Sequence, residues 1–384
     1  MGSDFKTLVI GDGPVGASAL MTLCRLGFDN VFLSRHINGE RKFESIFGHE
    51  IPTSNNDRGG LGSLWHSVCD LGLLHRNCFS SSELSKKYLG NVEFREETEF
   101  VPFFPIRPHN VLKNLSYGIR LPVSFLKPFD ESVKVTFSDG SFESFDKVLV
   151  CHGALPDTDC LINSGLATLS STVSDHLVAQ VEGISKPLFA DKKSEKITFS
   201  SKGFVRGYRL YDGDKLKFKM SARPIYGEQE NKVFHLDKGI YVGNTFEVLK
   251  RLLCRASFNI LKQSFFLRYG IFSRSRRWAG FINIVVKDCY QRKDGRLLVD
   301  ESKVGELATM LKDHDLRLVE SSLMSAIHFH NTYSHLSPEV SNNIVNNKRV
   351  VLVGPGYKFK VGAEHFTFQM MLIAEKVAKE LYDN

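Results

Sequence analysis

The chain has 384 residues, 42% of them hydrophobic and 24% charged, and this composition excludes disordered and collagen-like proteins. The net charge of +7 is too small to indicate nucleic-acid binding by itself. Seven scattered cysteines without a CxxC pair predict neither a disulfide framework nor a metal site. No secretory signal begins the chain, and no apolar segment reaches the ~20 residues of a membrane-spanning helix, so we predict a cytoplasmic protein.

The N-terminal segment predicts a dinucleotide-binding unit. It contains a buried strand, a glycine turn, a helix and a second strand, over residues 6–10, 11–16, 17–26 and 28–33. In the turn, Gly11 permits a tight bend, Gly13 lets the backbone approach a pyrophosphate, and Gly16 lets the helix pack on the strand. Pro14 and Val15 complete the turn. The N–H groups at the helix N-terminus would face the phosphates, which predicts a nucleotide cofactor.

The second strand lacks the acid that usually binds the ribose, because Ser34 and Arg35 occupy its end. One interpretation is that Ser34 bonds the ribose while Arg35 lies over the adenine or near a phosphate. A second is that the pair reads a 2′-phosphate, which would make the cofactor NADP. A third is that cofactor affinity has decayed.

A second glycine-rich turn, residues 58–66, leads into a helical pattern. Two such turns favour a long dinucleotide such as FAD, which needs backbone approach at several points; the alternative is a surface loop. The candidate contacts in this turn are Gly59, Gly60, Ser63 and Leu64. Farther along, residues 133–145 predict a hairpin and residues 146–150 a buried strand, which Gly153 follows closely.

The middle of the chain predicts alternating strands over residues 196–226, and residues 250–296 carry twelve basic and two acidic side chains. Leucine and phenylalanine interleave with these charges at helical spacing. The cluster indicates either a solvated helix face, a site for an anionic substrate, or a surface for peripheral contact with an anionic membrane. It carries no RNA-binding signature, which argues against nucleic acid as a partner. The Asn-rich residues 341–347 predict a loop.

Several of these motifs together resemble the glucose–methanol–choline (GMC) oxidoreductase family, and its pyranose-oxidase branch most closely. The matching segments are GDGPVGAS, RGGLGSLW, KVLVCHGA, SDH and IHFHNT, which begin at residues 11, 58, 147, 174 and 327, and EHFT, which begins at residue 364. The resemblance implies FAD as cofactor, with Gly153, Gly354, Phe366 and Thr367 near the flavin. Leu64 stands where that branch has a covalently linked His, which implies a non-covalent flavin.

The resemblance also implies a catalytic pair, His328 and His365. Oxidation of an alcohol requires that a base removes the hydroxyl proton while a hydride leaves the carbon. A neutral imidazole can accept that proton near pH 7, and a second imidazole can orient the hydroxyl. The alternative is that both histidines are structural. Aromatic hydroxylases share the first glycine turn, but their late Gly-Asp motif is absent, since Gly354 begins a Gly-Pro-Gly turn here.

The sequence therefore predicts an α/β protein with a Rossmann-like FAD-binding domain, residues 1–180 and 321–384, and an inserted α+β substrate-binding domain, residues 181–320. The expected function is FAD-dependent oxidation of a hydroxyl group on a sugar or glycosylated metabolite, which could be anionic or lipid-linked. The alternative is a degenerate family member that binds a ligand or partner without turnover. The short chain and the residues at positions 34 and 354 motivate that alternative.

Overall fold

The computed structural model describes residues 5–35, 67–70, 84, 100–103, 112, 115–154, 159–182, 196–199, 205–212, 217–224, 278–293, 296–313, 316–319, 324–325, 329–359 and 367–383. The helices in this part are α1 (Pro14–Arg25), α2 (Cys160–Asn163), α3 (Glu301–Lys312) and α4 (Thr367–Asp383). The strands are β1 (Thr7–Ile10), β2 (Val31–Ser34), β3 (Ser67–Asp70), β4 (Phe100–Phe103), β5 (Gly118–Arg120), β6 (Val123–Pro128), β7 (Val133–Phe137), β8 (Phe142–Phe145), β9 (Lys147–Val150), β10 (Ala167–Leu169), β11 (Thr172–Glu182), β12 (Lys196–Phe199), β13 (Val205–Asp212), β14 (Lys217–Pro224), β15 (Trp278–Lys293), β16 (Arg296–Val299), β17 (Arg317–Leu318), β18 (Met324–Ser325), β19 (Tyr333–Leu336), β20 (Val340–Asn342) and β21 (Val350–Leu352).

The first sheet is parallel and has the strand order β20-β21-β9-β1-β2-β5. Its central strands β1, β9 and β21 are apolar at nearly every position and are buried throughout. Continuous apolar runs of this kind suit a parallel sheet that is covered on both faces. The predicted α/β class with a Rossmann-type strand–turn–helix–strand unit is confirmed, and strands from both ends of the chain share this sheet.

Two different layers cover the sheet. On one face, α1 and α4 bury Leu20 and Ala378 against Val9, Leu149 and Val351. The opposite face packs against the antiparallel sheet β6-β7-β8 and against α2, through a second apolar cluster. The predicted hairpin over residues 133–145 is confirmed as β7 and β8.

Local sequence explains where α1 begins and ends. It starts at Pro14, three residues before the predicted residue 17. Proline suits the first helical position, because the N–H group that it lacks would have no acceptor inside the helix. It ends at Arg25, and Gly27 follows with φ +82°, a left-handed conformation that glycine adopts without strain. Because the chain turns at Gly27, the second strand begins at Val31 and not at the predicted residue 28.

The second large sheet is antiparallel and has the strand order β12-β13-β14-β15-β11-β17. In addition, β16 pairs with β15 and β18 pairs with β11. The α3 helix packs on it and buries Leu307 and Leu311. The sheet includes β11 (Thr172–Glu182), which begins in the predicted FAD-binding segment and crosses its predicted end at residue 180. Residues assigned to both predicted domains therefore share this sheet. The domain limits stay a prediction. In the Asn-rich stretch, residues 341–342 were expected in a loop but extend β20, because they pair with β21.

None of the helices in the described residues is long and apolar enough to cross a membrane.

Candidate functional site

The carboxyl ends of three adjacent parallel strands meet at one edge of the first sheet. After β1, β9 and β21 the chain continues into Gly11, Cys151 and Val353. Backbone bonds keep these continuations side by side: Cys151 N donates to Ile10 O at 2.8 Å and Val353 N to Val150 O at 2.9 Å. From β1 the chain passes to β2 on one side, while β9 lies on the other. Such a switch point leaves a crevice in which α/β proteins bind ligands.

Two glycines of the first turn are required by close packing. Gly11 has φ +104°, and a Cβ there would lie 2.6 Å from Cys151 O. A Cβ on Gly16 would lie 1.9 Å from Gly11 O, so any side chain would push α1 off the turn. The structure thus gives Gly11 and Gly16 the tight-turn and packing roles expected from the sequence.

The N-terminus of α1 lies at this edge. Gly13 is its N-cap residue with extended backbone, φ −66° and ψ −178°, and no side chain caps the helix within the described residues. Pro14 occupies the first helical position, and the first turn carries no acid. Within the first turn of α1 itself, therefore, no carboxylate offsets the partial positive charge of the helix end. This end of α1 fits an anionic group such as a pyrophosphate.

Ser34 and Arg35, at the end of β2, are both engaged with the segment around β5. Ser34 is 1% exposed, and its Oγ donates to Leu121 O at 2.8 Å. Arg35 Nη2 donates to the Tyr117 hydroxyl at 3.0 Å, and its buried Nε lacks a partner among the described residues. The Ser34 hydroxyl thus donates its hydrogen bond within the protein. Of the two residues, Arg35 is therefore the better candidate for contact with a ligand.

The turn after β9 is built from His152 and Gly153. Gly153 is exposed and has φ +82°, and a Cβ there would meet no atom of the described residues within 4 Å. The His152 ring is fully buried, with Nδ1 3.0 Å from Gly153 O and Nε2 3.7 Å from Asp159 Oδ1. The ring therefore anchors the turn while the Gly153 backbone stays accessible from the edge.

Two asparagines in left-handed conformation clamp the C-terminal turns. Asn343, with φ +57°, accepts from Gly354 N through Oδ1 at 3.0 Å and donates through Nδ2 to Gly354 O at 3.1 Å. Asn331, with φ +54°, bonds both backbone groups of Phe359 in the same way, at 2.7 and 3.2 Å. Asparagine tolerates positive φ better than most residues. In the part of the chain that the structure describes, no atom lies within 4 Å of a Cβ placed on Gly354.

A partly buried carboxylate, that of Asp159, connects these turns. It caps α2 by accepting from Leu161 N and Ile162 N at 3.1 and 3.2 Å, and the Tyr333 hydroxyl donates to its Oδ2 at 2.7 Å. Burial, and then the charge of Asp159, raise the pKa of Tyr333 well above its usual value, so it stays protonated and donates. The Tyr333 ring supports the last turn, since a Cβ on Gly356 would lie 2.7 Å from it.

A second buried polar cluster lies where the antiparallel sheet meets these turns. The Tyr290 hydroxyl donates to Asp175 Oδ2 at 3.0 Å, and His176 N donates to Asp175 Oδ1 at 2.7 Å. The rings of His176 and His330 have centroids 6.0 Å apart. His330 and Ser174 exchange backbone bonds of 3.2 and 2.9 Å, and His330 is only 1% exposed. His330 therefore belongs to the interior, and it ties β11 to the segment that carries Asn331.

Sequence reasoning missed the Asp159–Tyr333 pair and the Asn343 clamp. The signal for Asn343 was an asparagine run beside a strand, which also marks left-handed turns. Asp159 followed by an apolar pair is a helix N-cap pattern, but Tyr333 is 174 residues away and gave no local signal.

The remaining site residues expected from the sequence lie outside the described residues: Gly59, Gly60, Ser63, Leu64, His328, His365 and Phe366. Thr367 begins α4, and Val15 lies in the first turn of α1, partly buried against Phe359 and Met370. Within the described ranges, no group of three or more His, Cys, Asp or Glu side chains could hold a metal ion.

No protein-family model and no curated protein matches the chain. Among solved structures it is similar to pyridoxine 4-oxidase from Mesorbium loti, at 10% identity and a TM-score of 0.46, over 99% of this chain and 100% of that one. It is also similar to FqzB, at 12% identity and a TM-score of 0.42 over 96% and 74% of the chains. A third similarity is to 2,6-dihydroxypyridine-3-hydroxylase from Arthrobacter nicotinovorans, at 14% identity and a TM-score of 0.36, over 99% of this chain and 83% of that one. At these identities and scores none assigns a family or an activity, and the fold is established by the chain's own Rossmann-type sheet.

Proposed function

We propose that the chain binds FAD along the carboxyl edge of the parallel sheet and uses it to oxidise a hydroxyl group. The observation that supports this proposal is the N-terminus of α1, which no side chain of the described residues caps and which lies at the switch point between β2 and β9. A glycine N-cap without a capping side chain, in a turn packed against Cys151, leaves N–H groups and positive potential for a diphosphate.

The residues around that helix end suit a long dinucleotide. Gly11, Gly13 and Gly16 would hold the pyrophosphate region, and Arg35 would lie toward the nucleoside. Gly153 offers exposed backbone at a further point of the same edge, and Gly354, whose N–H and C=O are bonded to Asn343, forms a second turn there without a side chain. Contacts at several points along one edge favour FAD over a mononucleotide. Asp159 and Asn343 would keep these two turns in place whether or not the cofactor is bound.

Bound FAD would supply the hydride acceptor, and the protein must supply the base. By the family resemblance, His328 would accept the hydroxyl proton as a neutral imidazole. His365 would hydrogen-bond the same oxygen and stabilise the developing alkoxide charge. Both roles are proposals that rest on the sequence segments IHFHNT and EHFT.

The substrate class we propose is a sugar or glycosylated metabolite. An anionic or lipid-linked form fits the basic residues 250–296, of which part is described. In that part Lys287 and Lys293 are exposed, whereas Arg292 turns inward and donates through Nε to Ser170 O at 3.3 Å. Arg292 therefore ties β15 to the segment between β10 and β11, and an anion would meet the lysines first.

The test is the rate of flavin reduction by candidate sugars under anaerobic conditions, normalised to bound flavin. His328→Ala should slow reduction by about 10²–10⁴, the range for loss of a general base, while flavin content is kept. His365→Asn should have a smaller effect, because the amide can still donate a hydrogen bond. Tyr333→Phe is the control, since it perturbs the support of the turns without removing a base. Unchanged rates in both histidine variants would refute the catalytic assignment.

A second candidate is a protein that binds a ligand or partner without turnover. It is favoured by one observation, the internal use of the Ser34 hydroxyl where dinucleotide-binding proteins place a ribose-binding acid. The two candidates differ in colour: a colourless protein that refuses added FAD supports the second and contradicts the first.

A further inference from the structure

The outer face of the β6-β7-β8 sheet, which points away from the parallel sheet, has an unusual composition. Strand register places two rows of three residues on it, namely Phe125–Thr136–Phe142 and Lys127–Lys134–Ser144. The alternate residues, among them Leu126, Val135 and Phe145, point inward and are buried. This outer face carries two lysines, two phenylalanines and two small hydroxyl side chains, and no carboxylate among the residues that share its register.

The two lysines are placed unfavourably for an isolated sheet. Lys127 and Lys134 are direct partners in the antiparallel pair, and like charges in such positions repel each other. Glu143 does not relieve them, because its register partner is Val135 and its carboxylate binds Arg120 and Lys6 on the inner side. The acids nearest in sequence, Asp130, Glu131 and Asp139, lie in the turns at the ends of the hairpins. An external anion would relieve the repulsion.

Aromatic side chains surround these charges. Phe125, Phe129 and Phe142 are 39%, 49% and 65% exposed. Lys134 Nζ lies 3.8 Å from the ring centroid of Phe142, and Lys127 Nζ lies 5.4 Å from that of Phe129. Each ammonium group is thus held beside an exposed ring. Segments that bind at a membrane interface place lysine at the level of the lipid phosphates and phenylalanine slightly deeper, toward the acyl chains.

We infer that this outer face docks on an anionic phospholipid bilayer. The paired lysines would contact lipid phosphates, and Phe125, Phe129 and Phe142 would insert at the boundary between headgroups and acyl chains. The layer order of the fold places this face opposite to α1 and α4 across the parallel sheet. Docking through it would therefore leave those helices facing away from the bilayer.

The surface is distinct from the basic residues 250–296, and the two make different predictions. Docking through the outer face depends on Lys127, Lys134 and the phenylalanines and is independent of the basic segment. An acidic protein partner would also satisfy the lysines, but it gives no reason for three exposed phenylalanine rings beside them. The bilayer accounts for both features.

The experiment is co-sedimentation of the full chain with phosphatidylcholine vesicles, with and without about one third phosphatidylserine. Binding should require the anionic lipid and should weaken as salt is raised. Each lysine near such a surface contributes about fivefold to the partition coefficient, so Lys127→Gln/Lys134→Gln should lower it by about 25-fold. Phe142→Ser should lower it by about tenfold or more, because a phenylalanine would no longer leave water.

The matched control is Lys312→Gln/Lys376→Gln, which removes the same charge from exposed positions on α3 and α4 and should bind like the unmodified chain. Far-ultraviolet circular dichroism and thermal melting check that all variants fold; removing the lysine repulsion should not lower the melting temperature. Equal partition of the Lys127/Lys134 variant and the unmodified chain would overturn the inference and assign any binding to another surface. Failure of the unmodified chain to bind either vesicle would overturn it too.

Discussion

Gly13 offers the sharpest perturbation of the proposed pyrophosphate site, because it is the N-cap of α1 and its backbone is extended rather than left-handed. Aspartate and asparagine are both good N-cap residues and have nearly the same shape. Gly13→Asp and Gly13→Asn should therefore fold alike, and each should change the free energy of unfolding by only a few tenths of a kcal/mol. The two variants differ in one respect, the negative charge at the helix end.

That charge has a large expected effect on a bound diphosphate. A carboxylate about 4 Å from a phosphate, at an effective dielectric constant of about 20, raises the energy by about 4 kcal/mol. This corresponds to a roughly thousandfold weaker Kd for the Asp variant than for the Asn variant. Both variants should also bind less tightly than the unmodified chain, since any side chain at Gly13 obstructs the approach of backbone to phosphate.

The assay is titration of FAD into flavin-free protein, followed by quenching of flavin fluorescence, with thermal melting of each variant as the control for folding. The Asp variant should melt within about 2 °C of the Asn variant. Equal FAD affinity of the two variants would refute the placement of the pyrophosphate at the N-terminus of α1.

Four further substitutions test the contacts described above. Gly16→Ala should lower the free energy of unfolding by about 1–3 kcal/mol in urea denaturation, because its Cβ meets backbone. Gly354→Ala, whose Cβ meets no atom of the described residues within 4 Å, should leave stability unchanged and weaken only FAD binding; equal losses of stability in the two variants would contradict this difference in packing. Tyr333→Phe removes the donor that lies 2.7 Å from the partly buried Asp159 carboxylate and should lower the free energy of unfolding by about 1.5–3 kcal/mol in the same measurement. No loss would show that this bond is not made in solution. The hydrogen bond from Arg120 lowers the pKa of Glu143 from 4.5 to about 2, so the stabilisation that this carboxylate gives the fold is complete above about pH 4.5 and is lost as the pH falls toward 2. The Glu143→Gln variant should be less stable than the unmodified chain at neutral pH and should lose less stability between pH 4.5 and 2. Parallel pH profiles of stability for the two proteins would refute this.

The first βαβ unit could be predicted because its signals are local. An apolar strand, three spaced glycines and a helical pattern lie within 35 residues, and the contacts of Gly11 and Gly16 follow from that geometry. The joining of β21 to the same sheet was also accessible, since a short apolar strand such as Val350–Leu352 must be buried on both faces.

The support of the site could not be predicted, because it depends on contacts between distant segments. The strand β2 ends in Ser34, and only the fold reveals that its hydroxyl binds Leu121 O, 87 residues later. The Lys127–Lys134 pair depends on strand register, which a bulge after Val123 shifts and which a sequence pattern does not determine to one residue.

The measurement that most directly tests the central claim is the flavin content of the purified chain, from its visible absorption and from the FAD released on denaturation. The purified chain should absorb at about 450 nm and release one FAD per chain, and added FAD should restore this absorption after the cofactor has been removed. A colourless chain that takes up no FAD at any concentration tested would contradict it.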